Sequence, residues 1–123
     1  MKYLIDTSAW IEALRVDGDK EMKERVRSIL SDGAACWNKM IQLELWNGAK
    51  GVAEKHYLKA LEVDMLNLNI LESTWRLAIN LAEKARSKGL TIPSTDLLIY
   101  ASSLEHHILI LHKDKHFSAL EKL

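Results

Sequence analysis

The sequence predicts an α/β domain: a sandwich in which helices cover both faces of a mostly parallel sheet. Short β-type runs alternate with longer helical stripes along the whole chain. The β-type runs, such as Ala34-Ala35-Cys36-Trp37 and residues 108–111, are continuously apolar, as strands buried on both faces are. No repeat, low-complexity tract or Pro/Gly-rich linker interrupts the 123 residues, so residues 1–123 read as a single domain around one core.

Each element follows from local chemistry. Residues 2–5 form the first strand, and Ser8 to Arg15 a first helix ended by the turn-like Asp17-Gly18-Asp19. From Glu21 onward, Met22, Val26, Ile29 and Leu30 share one helical face, and Asp32-Gly33 stops that helix. Residues 34–37 are the second strand. Asn38 then N-caps a helix through Ile41, Leu45 and Trp46. Beyond Gly48 and Gly51, Ala53, Tyr57 and Leu61 form another stripe, and residues 65–68 a weak third strand. Asn69 followed by Glu72 has the spacing of a capping box. It introduces the cleanest stripe in the chain: Leu71, Trp75, Ala78, Leu81, Ala82 and Ala85, with Trp75 expected in the core. Lys88-Gly89 ends it. Pro93 sits before or at the start of a helix through Ile99 and Leu104. Residues 108–111 are the last strand, and a short helix near Phe117 follows.

Composition excludes several classes. Hydrophobic residues make up 48% and charged residues 28%, too apolar for a disordered chain. No apolar run approaches the ~20 residues of a bilayer span, and the first residues lack the pattern of a secretory signal. The single Cys36 forbids an internal disulfide and suits a reducing cytoplasm. Lys plus Arg and Asp plus Glu both number 17, so bulk charge does not draw this chain to nucleic acid. Any such binding requires locally arranged cations or a metal ion.

In open parallel sheets, ligand sites lie outside the carboxyl ends of the strands. Four acids flanked by apolar residues fall on or near that edge: Asp6 after strand one, Glu44 on the helix after strand two, Asp96 near a helix start, and Asp114 past the last strand. Singly, Asp6 reads equally as an N-cap, Asp96 as a macrodipole-favoured acid and Asp114 as a turn residue. Glu44 interrupts Leu43 and Leu45 with no Lys or Arg three or four residues away, so it needs a partner from elsewhere. Together they are a different case. Two carboxylates ~5 Å apart repel by about 3 kcal/mol at an effective dielectric near 20. A hard divalent cation is the natural compensation, and such an ion can activate water and stabilise a phosphodiester under attack.

The stretches "LIDTSAWIE", "LELWNG", "TDLLIYASSLEHHILIL" and "KDKHF", in this order and over essentially the whole chain, resemble a PIN domain, in particular the small bacterial and archaeal toxin ribonucleases of the VapC type. The resemblance implies a three-layer α/β/α domain around a parallel sheet of four or five strands. It implies Mg²⁺- or Mn²⁺-dependent cleavage of RNA such as tRNA or ribosomal RNA, a homodimer, and an antitoxin protein that blocks the site. By position, Asp6, Glu44, Asp96 and Asp114 match the family's catalytic, metal-holding quartet, and Thr7 or Ser8 the hydroxyl residue after the first acid. Two departures stand out. His112 replaces the Thr or Ser common two residues before the last acid, and His116 replaces the Asp common two residues after it.

Other residues admit two readings. His112, Lys113, Lys115 and His116 bracket Asp114, and with Thr7 and Ser8 they are the candidate substrate-binding residues. The same turn could simply be solvated. A zinc cluster of His106, His107, His112 and His116 lacks paired ligand spacing. Trp10, Trp37 and Trp46 read as core or dimer-interface residues ahead of base-stacking platforms. Tyr100, one turn after Asp96, is placed to hydrogen-bond it, and Glu12 is a further candidate ligand. The alternatives are an aspartate-phosphorylated receiver-like domain, which makes less use of Glu44, and a metal-free PIN-like binding module.

Overall fold

The computed structural model describes all residues, 1–123. Along the chain run β1 (Tyr3–Ile5), α1 (Thr7–Leu14), α2 (Lys20–Ser31), β2 (Ala35–Trp37), α3 (Lys39–Asn47), α4 (Gly51–Asp64), β3 (Leu66–Asn67), α5 (Glu72–Ser87), α6 (Ser94–Glu105), β4 (Leu109–Leu111) and α7 (Lys115–Glu121). The sheet has four strands in the order β3-β2-β1-β4, all parallel. Tyr3 pairs with Ala35 on one side and Leu109 on the other. Because successive strand residues face opposite sides, the full burial of both Leu4 and Ile5 shows that helices cover both faces. The architecture is therefore the three-layer α/β/α fold expected, with four strands.

One core of large side chains fills both interfaces: Leu4, Ile5, Trp10, Trp37, Ile41, Leu58, Ile99 and Phe117 are all essentially inaccessible. Each fully buried aliphatic or aromatic side chain contributes roughly 1.5–3 kcal/mol. Trp10 and Trp37 thus belong to the core, and Trp46 packs against it half-buried.

The strand order places the site. The chain steps outward from β1 through β2 to β3, then returns to pair β4 on the opposite side of β1. The crevice between the carboxyl ends of β1 and β4 is the topological switch point. Asp6 follows β1 directly, and Asp114 N-caps α7 just beyond β4.

Three local expectations are corrected. Trp75 is 49% exposed. Helix α5 meets α6 through Thr74, bonded to Glu105, and Ala78, packed with Leu98 and Ala101, small side chains that let the two helices approach closely. A bulky residue one position beyond Thr74 is rotated out of that seam. Helix α5 is capped at Leu71, whose N–H donates to Thr74 Oγ1 (2.9 Å), so the Asn69–Glu72 box does not form. In α4 the buried face is Leu58 and Leu61, while Ala53 and Tyr57 are exposed.

Candidate active site

Asp6 is 3% exposed and serves as the N-cap of α1. Its Oδ2 accepts from the Ser8 N–H (2.9 Å) and Ser8 Oγ (2.6 Å). The choice between cap and cluster member that the sequence left open was not a real one, since the same carboxylate is both. Ser8 Oγ in turn accepts from the Lys113 N–H at 2.9 Å, which ties the β4–α7 loop to the start of α1. The Asp6 N–H donates to Leu111 O (2.9 Å), closing the β1–β4 crevice from the backbone side.

Glu44 finds its partner 37 residues away: Thr7 Oγ1 donates to its Oε1 at 2.8 Å. Asp96, in the first turn of α6, is 8% exposed. Asp114 Oδ1 accepts from the His116 N–H at 2.9 Å. The imidazole of His116 then folds back over the cluster, with Nδ1 3.0 Å from Asp114 Oδ1 and 3.3 Å from Asp96 Oδ2. Ligand atoms of Asp96, Asp114 and His116 all lie within 4.8 Å of one another.

Asp6 and Glu44 stand outside that group of three, close enough for their fields to act on Asp96. Burial pushes the Asp96 carboxyl up to about 7, helped by a hydrogen bond to Asp114 and by the fields of Asp114, Asp6 and Glu44. Burial also raises Glu44 against the Thr7 hydrogen bond, with Asp6 and Asp114 adding to the rise. Asp6 is raised by its burial, which outweighs the Ser8 hydrogen bonds. Asp114 alone is lowered. Burial opposes ionisation there too, but the His116 N–H, the Asp96 hydrogen bond and the His116 ring together prevail. Of this pair, Asp96 is the harder to ionise and Asp114 the easier. A cleft of about 330 Å³, bordered by Thr7, Ile11, Glu44 and Lys50, opens beside the cluster.

Other candidates lie elsewhere. Glu12 Oε1 accepts from the Asp19 N–H (3.0 Å) and closes the α1–α2 turn. Gly18 is required in that turn, because a Cβ would sit 1.8 Å from Glu12 O. Tyr100 packs near Phe117 (ring centroids 6.4 Å apart) and makes no hydrogen bond to Asp96. His112 turns toward α7, with Nε2 2.9 Å from Glu121 Oε1 and its ring 5.1 Å from Phe117. His106 lies 3.1 Å from Asn69 O, so the four histidines form no cluster. Lys113 Nζ is 3.5 Å from Asp19, and Lys115 is exposed at the start of α7. Sequence reasoning named every acid in the cluster. The sequence did not disclose that Thr7 is the partner of Glu44, because the two residues lie 37 positions apart on different helices.

An α/β/α domain whose switch-point crevice gathers acids from β1, α3, α6 and the β4–α7 loop defines a class. This chain belongs to the PIN domain family, whose model matches residues 3–123. It is similar to Ribonuclease VapC11 of Mycobacterium tuberculosis and to VapC ribonuclease Mb1587 of Mycobacterium bovis, at 33% identity over 124 residues, 98% of this chain and 92% of each relative. Its fold is similar to that of VapBC2 from Rickettsia felis, solved with a promoter DNA fragment (TM-score 0.78, 15% identity, 100% of this chain and 96% of that one). VapBC-1 from nontypeable Haemophilus influenzae is comparable (TM-score 0.77, 21% identity, 100% and 95%). So is M. tuberculosis VapC20, described as a sarcin-ricin loop cleaving toxin (TM-score 0.70, 18% identity, 96% and 94%). No helix is long and apolar enough to cross a membrane.

Proposed function

We propose that this chain, one domain over residues 1–123, is a divalent-metal-dependent endoribonuclease. We further propose that it is the toxin of a toxin–antitoxin pair, acting in the cytoplasm as a homodimer held in check by its antitoxin. The observation that carries the reading is the meeting of Asp6, Glu44, Asp96 and Asp114 at the switch point, each within the others' field. The relatives named ribonucleases and the fold neighbours solved as VapBC complexes support it.

The donor set fits a Mg²⁺ or Mn²⁺ ion: carboxylate oxygens, three of the four held above their ordinary values first by burial and then by one another's fields. Asp6, Glu44, Asp96 and Asp114 would hold it, and the ion would supply Lewis-acid stabilisation of the scissile phosphate and a more acidic water. The chain's own residues do the rest. Ser8 fixes the Asp6 carboxylate and the Lys113 backbone together. Thr7 fixes Glu44. Lys113 and Lys115 stand on the rim past Asp114, where RNA phosphates would pass.

Two experiments test the reading. Wild type and Asp6→Asn are incubated with total RNA and Mg²⁺ and the cut ends mapped. Site-specific cuts by the wild type alone are expected, and equal cutting by both proteins would remove the enzyme. Thermal melting of chelator-treated protein with added Mn²⁺ should raise Tm on the order of 10 °C at saturating ion. If neither cleavage nor a melting shift is seen, the chain is a metal-free binding module.

A further inference from the structure

The nitrogen that sits among the acids has no assigned task. We infer that His116 is a ligand of the ion, and that its imidazole tilts this site from Mg²⁺ toward later divalent ions such as Co²⁺ and Zn²⁺. This rests on the metal-site reading above.

The first support is geometric. The backbone places His116 with little freedom: Asp114 caps α7 by accepting the His116 N–H at 2.9 Å, and the next residue, Phe117, is wholly buried. The side chain returns to the carboxylate that fixes its own backbone. Around a six-coordinate ion with bonds of ~2.1 Å, adjacent donor atoms lie ~3.0 Å apart. Nδ1 lies 3.0 Å from Asp114 Oδ1 and 3.3 Å from Asp96 Oδ2. Those are the separations of neighbouring donors on one ion.

The second support is competition for space. Nδ1 bridges two carboxylates that the reading assigns to the ion. Once an ion enters, the ring either binds it or leaves. The α7 cap and the anchored Phe117 hold the ring's backbone in place, which favours binding. His106 and His112 are engaged outside the crevice, at Asn69 O and Glu121, and His116 is the histidine whose ring nitrogen lies among the acids.

The consequence follows from ligand chemistry. Carboxylates suit Mg²⁺ and Mn²⁺, whereas imidazole suits Zn²⁺ and other later first-row ions. A single nitrogen among four carboxylates shifts the ratio of affinities without abolishing Mg²⁺ binding. Removing even an outer partner of a metal site weakens it about tenfold or more, so loss of a direct ligand should be at least as large.

The test is metal binding alone, with no RNA present. Chelator-treated full-length wild type, His116→Ala and His116→Asp are titrated with Co²⁺ and with Mg²⁺ by calorimetry, and the visible absorption of bound Co²⁺ is recorded. The Ala variant is expected to lose about tenfold or more in Co²⁺ affinity, to lose less for Mg²⁺, and to shift the Co²⁺ band. The Asp variant, which keeps a donor and guards against a folding artefact in the Ala variant, should recover Mg²⁺ but not the Co²⁺ preference. An identical Co²⁺/Mg²⁺ ratio and spectrum in all three proteins would overturn the role of His116 and leave the carboxylate site standing. Failure of wild type to bind either ion would overturn both.

Discussion

Helix α6 carries an acid near each end, and the two are treated in opposite ways. Asp96, in the first turn, is pushed up to about 7 by burial and by the carboxylates around it. Glu105, the last residue, is held below its ordinary value by the hydroxyls of Ser73 and Thr74. The helix macrodipole favours the reverse, since it stabilises an anion at the N-terminus and opposes one at the C-terminus. Its worth, about 0.3–1 kcal/mol, is less than the ~1.4 kcal/mol of one pKa unit. It therefore cannot offset a rise from 3.8 to about 7. Local partners decide. Where donors answer the carboxylate it is structural and content, and where only other acids and a histidine answer it, the site lacks positive charge.

The contrast is sharpest in activity. Asp96→Asn keeps the shape and replaces one carboxylate oxygen of the cluster by an amide nitrogen; Glu105→Gln does the same at the far end of the helix. RNA cleavage should fall about a hundredfold or more in the first, the scale of losing one electrostatic stabiliser of a transition state, and stay within about twofold in the second. Equal losses would mean that both ends act through stability, and the division drawn along α6 would fail.

Acid–base linkage should separate the two ends as well. Free Asp96 titrates near 3.8 and folded Asp96 near 7, so between those values the folded, metal-free protein binds the extra proton. Stability then falls as pH rises through this window and levels off above it. Asp6 and Glu44, also raised, act in the same direction. Glu105, lowered, supplies stability that is present above its ordinary value of 4.5 and lost on acidification. Melting of chelated protein should thus give a lower Tm at pH 8 than at pH 5.5. Asp96→Asn should flatten that decline and Glu105→Gln leave it intact. A wild-type Tm that holds or rises from pH 5.5 to 8 would contradict the raised Asp96.

These two ends also mark what a sequence can and cannot disclose. The strands were legible because a doubly covered sheet demands continuous apolar runs, and Leu4-Ile5 and Cys36-Trp37 supply them. The acids were legible because each breaks such a surrounding. The Thr74–Glu105 link was not, because it joins residues 31 apart through a hydroxyl that any helix could carry. Trp75 was misplaced for a related reason. An apolar stripe fixes a helix face only to within a residue or so, and the small Thr74 and Ala78 set the true seam. The α7 cap is local, but the return of His116 to Asp96 was not legible, because it depends on the starts of α6 and α7 meeting in space.

Thr74 tests the satisfied end directly. Its hydroxyl accepts from the Leu71 N–H and donates to Glu105, and the residue is wholly buried. Thr74→Val keeps the volume and removes both bonds, while Leu71 is exposed and Glu105 keeps Ser73, so the partners can turn to solvent. The loss is that of net hydrogen bonds and not of buried unsatisfied groups, so Tm should drop by a few degrees while the Mn²⁺-induced shift stays at the wild-type value. A lost metal response would show that the two ends of α6 are not independent.

The smallest effect is expected just past Glu105. Three helices end in the same 6→1, 5→2 hydrogen-bond pattern: α2 at Gly33, α5 at Gly89 and α6 at His107. The first two place glycine in the left-handed region, at φ 65° and 77°, and the third places His107 there at φ 54°. A non-glycine residue in that region is strained by roughly 1–2 kcal/mol, partly offset by the extra freedom glycine gives the unfolded chain. His107→Gly should therefore stabilise by about 0.5–1 kcal/mol, a Tm gain of a few degrees. Because His107 lies at the satisfied end of α6, neither RNA cleavage nor the Co²⁺/Mg²⁺ ratio should move with it. A gain in stability accompanied by a change in metal preference would show strain at this cap reaching Asp96 along the helix.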